Sequence, residues 1–173
     1  MRLSACASRV CVVGLLAACA VTAGACASAP AGPRSWVDPA AARTSSDAGP
    51  LGATVARIVA SRIPPATSTL VLLPPPDAQR AQPGAAAVAV GVADALRQTG
   101  FAVAPEAGGS APDTTVGGVH RVRYLVTPLA TPGGDRVLLR VQLDERVEAA
   151  RLFRRDTTGA LVAAAPLTVR EGP

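Results

Sequence analysis

Lysine is absent from this 173-residue chain, histidine occurs once, and only four side chains are aromatic: Trp36, Phe101, Tyr124 and Phe153. Cysteine is missing from everything after residue 26. Each gap excludes a chemistry. One His without downstream Cys cannot assemble a zinc site, and no thiol is left in the body of the chain to act as a nucleophile. Four scattered aromatics make no platform for stacking bases. The 17 basic residues, all Arg, exceed the 12 acidic ones by five. Beside the abundance of Ala, Gly and Pro, that exclusive use of Arg reflects a GC-rich coding sequence rather than selection for Arg chemistry. The 49% hydrophobic fraction is largely Ala, which leaves Val and Leu to build the core of one ordinary domain with a short extension.

What is present is concentrated at the N-terminus. Cys6, Cys11, Cys19 and Cys26 lie together in the first 26 residues, where a disulfide framework would staple nothing in a folded domain. Arg2 and Arg9 precede an apolar, small-residue run with no further charge until Arg34, the order of a secretory signal peptide. An uncleaved membrane-spanning helix needs about 20 apolar residues, and the richness in Ala, Gly, Ser and Thr weighs against it. Two sites match the bacterial lipobox, an aliphatic residue and two small residues before the lipidated Cys. Leu16-Ala17-Ala18-Cys19 fits by residue type, and Ala23-Gly24-Ala25-Cys26 fits by position at the end of the run. Cleavage before Cys19 or Cys26, with lipid on that one Cys, is therefore expected; an ordinary signal with incidental cysteines is the plain alternative. Loss of Arg2 and Arg9 leaves fifteen Arg against twelve carboxylates, too small an excess for nucleic-acid binding.

The chain divides into a signal peptide over 1–25, a Pro/Ala/Gly-rich tether over 26–50 and an α+β domain over 51–173. Trp36 is the only bulky side chain of the tether, either incidental or an anchor to a partner subunit or membrane surface. Leu51, Val55, Ile58 and Val59 form a helical stripe that Pro50 opens and Pro64-Pro65 closes. Residues 67–73 (TSTLVLL) read as an interior strand. Residues 83–99 read as a helix burying Val88, Val92, Ala95 and Leu96, with Gly100 as its C-terminal cap. Gly91 within it either lowers helicity or permits close packing on a sheet. A strand over 101–103 completes a β-α-β crossover unit. A polar, Gly-rich loop is expected over 105–118. Alternating strands follow over 120–127, 137–143, 147–154 and 160–163, with a possible edge at 167–169. The predicted fold is α+β: a small mixed or antiparallel sheet with one or two helices packed on one face and its alternating arginines turned to solvent.

No catalytic set emerges. His120 begins a strand and is expected to be exposed. Asp144, Glu145 and Glu148 are expected to pair at the surface with Arg146 and Arg151. The glycine pairs 108–109, 117–118 and 133–134 lack the Lys and the strand-loop-helix setting of a phosphate cradle and read as turns. Arg151, Arg154 and Arg155 form either a solvated face or a patch for an acidic partner or anionic headgroups.

Several stretches resemble the TrbH family of conjugal transfer lipoproteins, small proteins of Trb-type conjugative type IV secretion systems. They are the lipoprotein-like start, IPPATSTLVLLPPP (63–76), VADALRQTGFAV (92–103), RYLVTPL (123–129) and LFRRDTTGALVAAAPLTVREG (152–172). The resemblance implies a non-enzymatic component of the mating-pair formation apparatus, anchored in the outer membrane by its N-terminal lipid and facing the periplasm. It implies other apparatus subunits as partners, no cofactor beyond that lipid, no direct nucleic acid and no small-molecule substrate. The alternative is a transport-auxiliary lipoprotein whose helix and sheet enclose a lipid-binding groove for an envelope ABC transporter; a core of Ala-rich helices with few aromatics argues against a large pocket.

Overall fold

In the computed structural model the described residues are 34–105, 118–131 and 134–171. The expected signal peptide, both candidate lipid sites, the start of the tether and most of the Gly-rich loop lie outside them. Eleven elements follow in chain order: β1 (Trp36–Val37), α1 (Ala48–Ala60), β2 (Thr69–Leu72), α2 (Asp77–Arg80), α3 (Pro83–Gln98), β3 (Ala102–Pro105), β4 (Val119–Thr131), β5 (Gly134–Leu143), β6 (Val147–Arg155), β7 (Leu161–Ala163) and β8 (Thr168–Glu171). All eight strands join one sheet in the order β3-β2-β4-β5-β6-β7. β1 pairs with β4 beyond the end of β2, and β8 pairs with β6 alongside β7. The expected α+β class holds. Three parallel pairings link β1, β2, β3 and β4, and the rest of the sheet is an antiparallel meander.

Local chemistry accounts for the helices. Pro50 sits in the first turn of α1, where its missing N–H leaves no bond unmade, and Leu51, Val55, Ile58 and Val59 are buried as their spacing requires. α3 opens with Pro83 and buries Val88, Val92 and Leu96, one residue every four along a single face. It closes in a Schellman arrangement: Gly100 adopts φ +100°, its N–H donates to the Arg97 carbonyl at 2.9 Å, and the Phe101 N–H donates to the Leu96 carbonyl at 3.2 Å.

Gly91 has a different role from the one its place on α3 suggested. It packs on α1 rather than on the sheet. A Cβ added at Gly52 of α1 would lie 2.5 Å from the Gly91 carbonyl oxygen, and one at Gly91 would lie 2.9 Å from the Ala48 Cβ. The two helices meet backbone to backbone, and their outer stripes together cover one face of the sheet.

That face of β4 carries Val122, Tyr124 and Val126; β5 adds Val137, Leu139, Val141 and Leu143, and β6 adds Ala149 and Phe153. Leu70 of β2 is fully buried beside them, between parallel neighbours on both edges, the interior position its apolar run implied. Val and Leu do build this core, with Tyr124 as the largest fully enclosed side chain. Burial pushes the Tyr124 phenol well above its usual range.

The expected tether is cut short. Its second half is part of the domain: Ser35, Val37, Ala41, Ala42 and Asp47 are buried. β1 runs parallel to β4 with Val37 opposite Val126. β2 leaves the edge of β4 at Val122, and β1 takes it up from Leu125. In the gap between them the Tyr124 N–H donates to the Ser35 Oγ at 3.1 Å, so that edge keeps its bonding. On the far side of β1 the Val37 N–H donates to the buried Gln79 Oε1 at 3.1 Å. Each of these side chains stands in for a missing strand, because a buried amide without an acceptor is costly.

Candidate functional site on the open sheet face

Among the described residues no helix lies over the opposite face of β4, β5 and β6. Side chains alternate across a strand, so the residues between the core positions gather there. Register fixes their rows. One row runs Arg123, Gln142, Glu148, Arg170; the next runs Trp36, Leu125, Arg140, Ala150, Thr168. A third holds Thr127, Leu138 and Leu152, and a fourth holds Leu129, Arg136, Arg154 and Val162. Trp36 is 45% exposed and Leu129 36%. The alternating arginines do lie outside, as their period demanded, and Trp36 lies with them because β1 pairs at Leu125. Of the charged residues in these rows, five are Arg and only Glu148 is acidic; Glu148 stands 3.8 Å from the Arg140 Nε.

The expected cluster of Arg151, Arg154 and Arg155 is divided by the pleat. Arg154 belongs to the open face, whereas Arg151 and Arg155 share the helix side with Phe153. Arg155 is only 12% exposed and forms an ion pair with the fully buried Asp47. Its two terminal nitrogens donate to Asp47 Oδ1 and Oδ2 at 2.9 Å each, and also to the carbonyls of Ala41 and Gly159. Burial works to raise the Asp47 carboxyl. The Arg155 guanidinium and the N–H groups of Thr44 and Arg43 outweigh it and hold the carboxyl below the ordinary Asp value. Arg155 is thus committed to locking residues 41–47 onto β6.

His120 also departs from expectation. Its side chain is 23% exposed, and its Nδ1 lies 2.6 Å from Asp144 Oδ2. The other oxygen of Asp144 accepts the Arg121 N–H at 2.7 Å. Asp144 therefore ties the start of β4 to the β5–β6 turn instead of pairing with Arg146 or Arg151, and Glu148 pairs with Arg140. Asp144 and Glu145 both have positive φ, 50° and 61°, and the Arg146 N–H closes the turn onto the Leu143 carbonyl at 3.1 Å. Hairpins favour such left-handed residues.

A groove of about 430 Å³ lies between α3 and the ends of β2 and β3, lined by Leu72, Pro74, Val90, Val103 and Tyr124 with Arg80 and Arg97. Among the described residues no group of three or more His, Cys, Asp or Glu is placed to hold a metal ion. No helix among them is long and apolar enough to cross a membrane. The profile of one protein family, described as "Conjugal transfer protein TrbH", matches residues 31–172, from the approach to β1 to the end of β8. No curated protein and no solved structure matches the chain.

Proposed function

The chain belongs to the TrbH family of conjugal transfer proteins, and from that footing we propose that it is a lipid-anchored accessory component of the conjugative type IV secretion apparatus. It works by protein–protein contact in the cell envelope, on the periplasmic side of the outer membrane, and not as an enzyme. It uses no cofactor beyond its own lipid and binds neither nucleic acid nor a small-molecule substrate. The observation that carries this reading is the family match over the whole folded domain. One feature supports it: among the described residues the domain presents a broad sheet face that no helix covers. The thiol of one of these two cysteines takes the lipid, and acyl chains burying about 0.8 kcal/mol per CH₂ hold the domain at the bilayer.

Replacing Cys19 and Cys26 by Ser, singly and together, tests the anchor. The double variant should leave the membrane fraction while retaining its fold, and one single variant should behave like it. Membrane association unchanged in the double variant overturns the anchor. Affinity capture of the lipoprotein from mating cells should recover other subunits of the transfer apparatus.

A second reading is favoured by the groove beside α3. Its apolar lining suits a lipid chain, as in a transport-auxiliary lipoprotein. Lipid extracted in stoichiometric amount from the purified non-lipidated variant would favour it.

A further inference from the structure

We propose that the open face of β1, β4, β5, β6 and β8 seats on an anionic phospholipid surface, with Trp36 at headgroup level and Arg123, Arg136, Arg140, Arg154 and Arg170 on the phosphates. The chemistry of the rows supports this occupant. Guanidinium groups bind phosphate oxygens in pairs and are less strongly hydrated than ammonium groups. An indole has an apolar body and one N–H donor, which suits it to the boundary between tails and water. Leu125 shares a row with Trp36 and Arg140, Leu138 and Leu152 lie between that row and the row of Arg136 and Arg154, and the three supply apolar area under the headgroups. Five cations against one carboxylate make a strongly one-signed field, and that carboxylate already has Arg140 beside it. The cations are spread across four strands instead of converging on a socket, which matches a planar array of phosphates better than a single acidic side chain.

Chain length supplies an independent reason. Residue 34, where the described chain begins, is two positions from Trp36. An extended chain covers at most about 3.6 Å per residue, so the eight steps from Cys26 reach no further than about 29 Å and the fifteen from Cys19 about 54 Å. A lipid on either Cys leaves Trp36 and its face within reach of the bilayer; this part of the inference rests on the anchor proposed above.

Trp36 is the only tryptophan in the chain, so its fluorescence reports this face alone. The mature lipoprotein is reconstituted with vesicles of phosphatidylethanolamine and phosphatidylglycerol, and separately with phosphatidylcholine alone. Brominated acyl chains in either vesicle quench an indole at the membrane. The expected result is a blue shift and quenching in the anionic vesicles, several-fold weaker in the neutral ones and reversed by high salt. Each basic residue near an anionic surface contributes roughly fivefold to binding, so Arg140→Glu with Arg154→Glu should abolish the quenching while the lipid still holds the protein on the vesicles. Emission from a water-exposed indole, open to acrylamide, in wild-type protein on anionic vesicles overturns the proposal. So does quenching that is equal in neutral vesicles, and so does shielding of Trp36 that arises only when apparatus subunits are added. The wild-type comparisons decide the matter even where a variant folds poorly. Mass analysis of the N-terminal peptide judges the anchor separately: if no lipid is found, the same wild-type protein floated with anionic and neutral vesicles still tests the face.

Discussion

Asp47 and Arg155 lie 108 positions apart and form a bidentate pair in which the carboxylate is wholly buried. Removing one partner of such a pair leaves a charge without compensation, a loss of about 3 kcal/mol or more. Asp47→Asn should therefore lower the midpoint of urea unfolding markedly, whereas Arg154→Gln on the open face should hardly move it. The pair also sets a pH dependence. The folded-state value of Asp47 lies below the ordinary value of 3.8, so its contribution is complete well above that value and is lost as the pH falls through the depressed one. The stability difference between wild type and Asp47→Asn should shrink progressively below about pH 5, measured by urea unfolding across that range. Nothing local announces this pair. Asp47 sits in an ordinary SSDAGP stretch, and Arg155 looks like the third member of a basic group. The signal is one of parity, since Arg154 and Arg155 occupy opposite faces of a strand whose start must first be known.

At the level of elements, the helices and the meander were legible because each repeats its period several times. Leu51, Val55, Ile58 and Val59 mark α1, and Val122, Tyr124 and Val126 mark β4 without reference to anything distant. β1 was not legible. Two residues have no period, and its surroundings have the composition of a linker; only Leu125 and Val126, about 90 positions later, make it a strand. The partner of Gly91 was hidden for the same reason, because a small residue on a helix marks a close approach without naming what approaches. The contact makes a paired prediction. Gly52→Ala forces its Cβ against the Gly91 carbonyl and should cost about 1–3 kcal/mol as the helices separate. Gly49→Ala, three residues earlier in the same helix with open space around it, should gain about 0.5 kcal/mol from helix propensity. Thermal unfolding of the two variants should shift in opposite directions.

For the molecule as a whole, the α+β class followed from the order of periods, but the boundary of the domain did not. A chain beginning at residue 34 retains Ser35, β1 and Asp47 and should unfold in one cooperative transition. A chain beginning at residue 48 keeps every strongly periodic element, yet it exposes one edge of β4 and strands Arg155. It should melt broadly, with amides of β4 exchanging faster in hydrogen–deuterium measurements. Arg123, Arg140 and Arg154 were legible one by one; Arg136, Arg170 and the face itself were not. The face includes β1, and Trp36 joins the arginines only through the pairing of that strand with β4.

The placement of β1 also governs the order in which the chain can fold. Its partner strand lies some 90 residues downstream, and the ion pair that holds the following segment waits for residue 155. Contacts of such sequence separation form slowly because a long loop must close first. A chain emerging N-terminus first has its helices early, but the sheet they cover is finished only when the last third arrives. Until then β1 and the segment after it remain unclaimed, so the part of the domain that emerges first is among the last to be fixed in it.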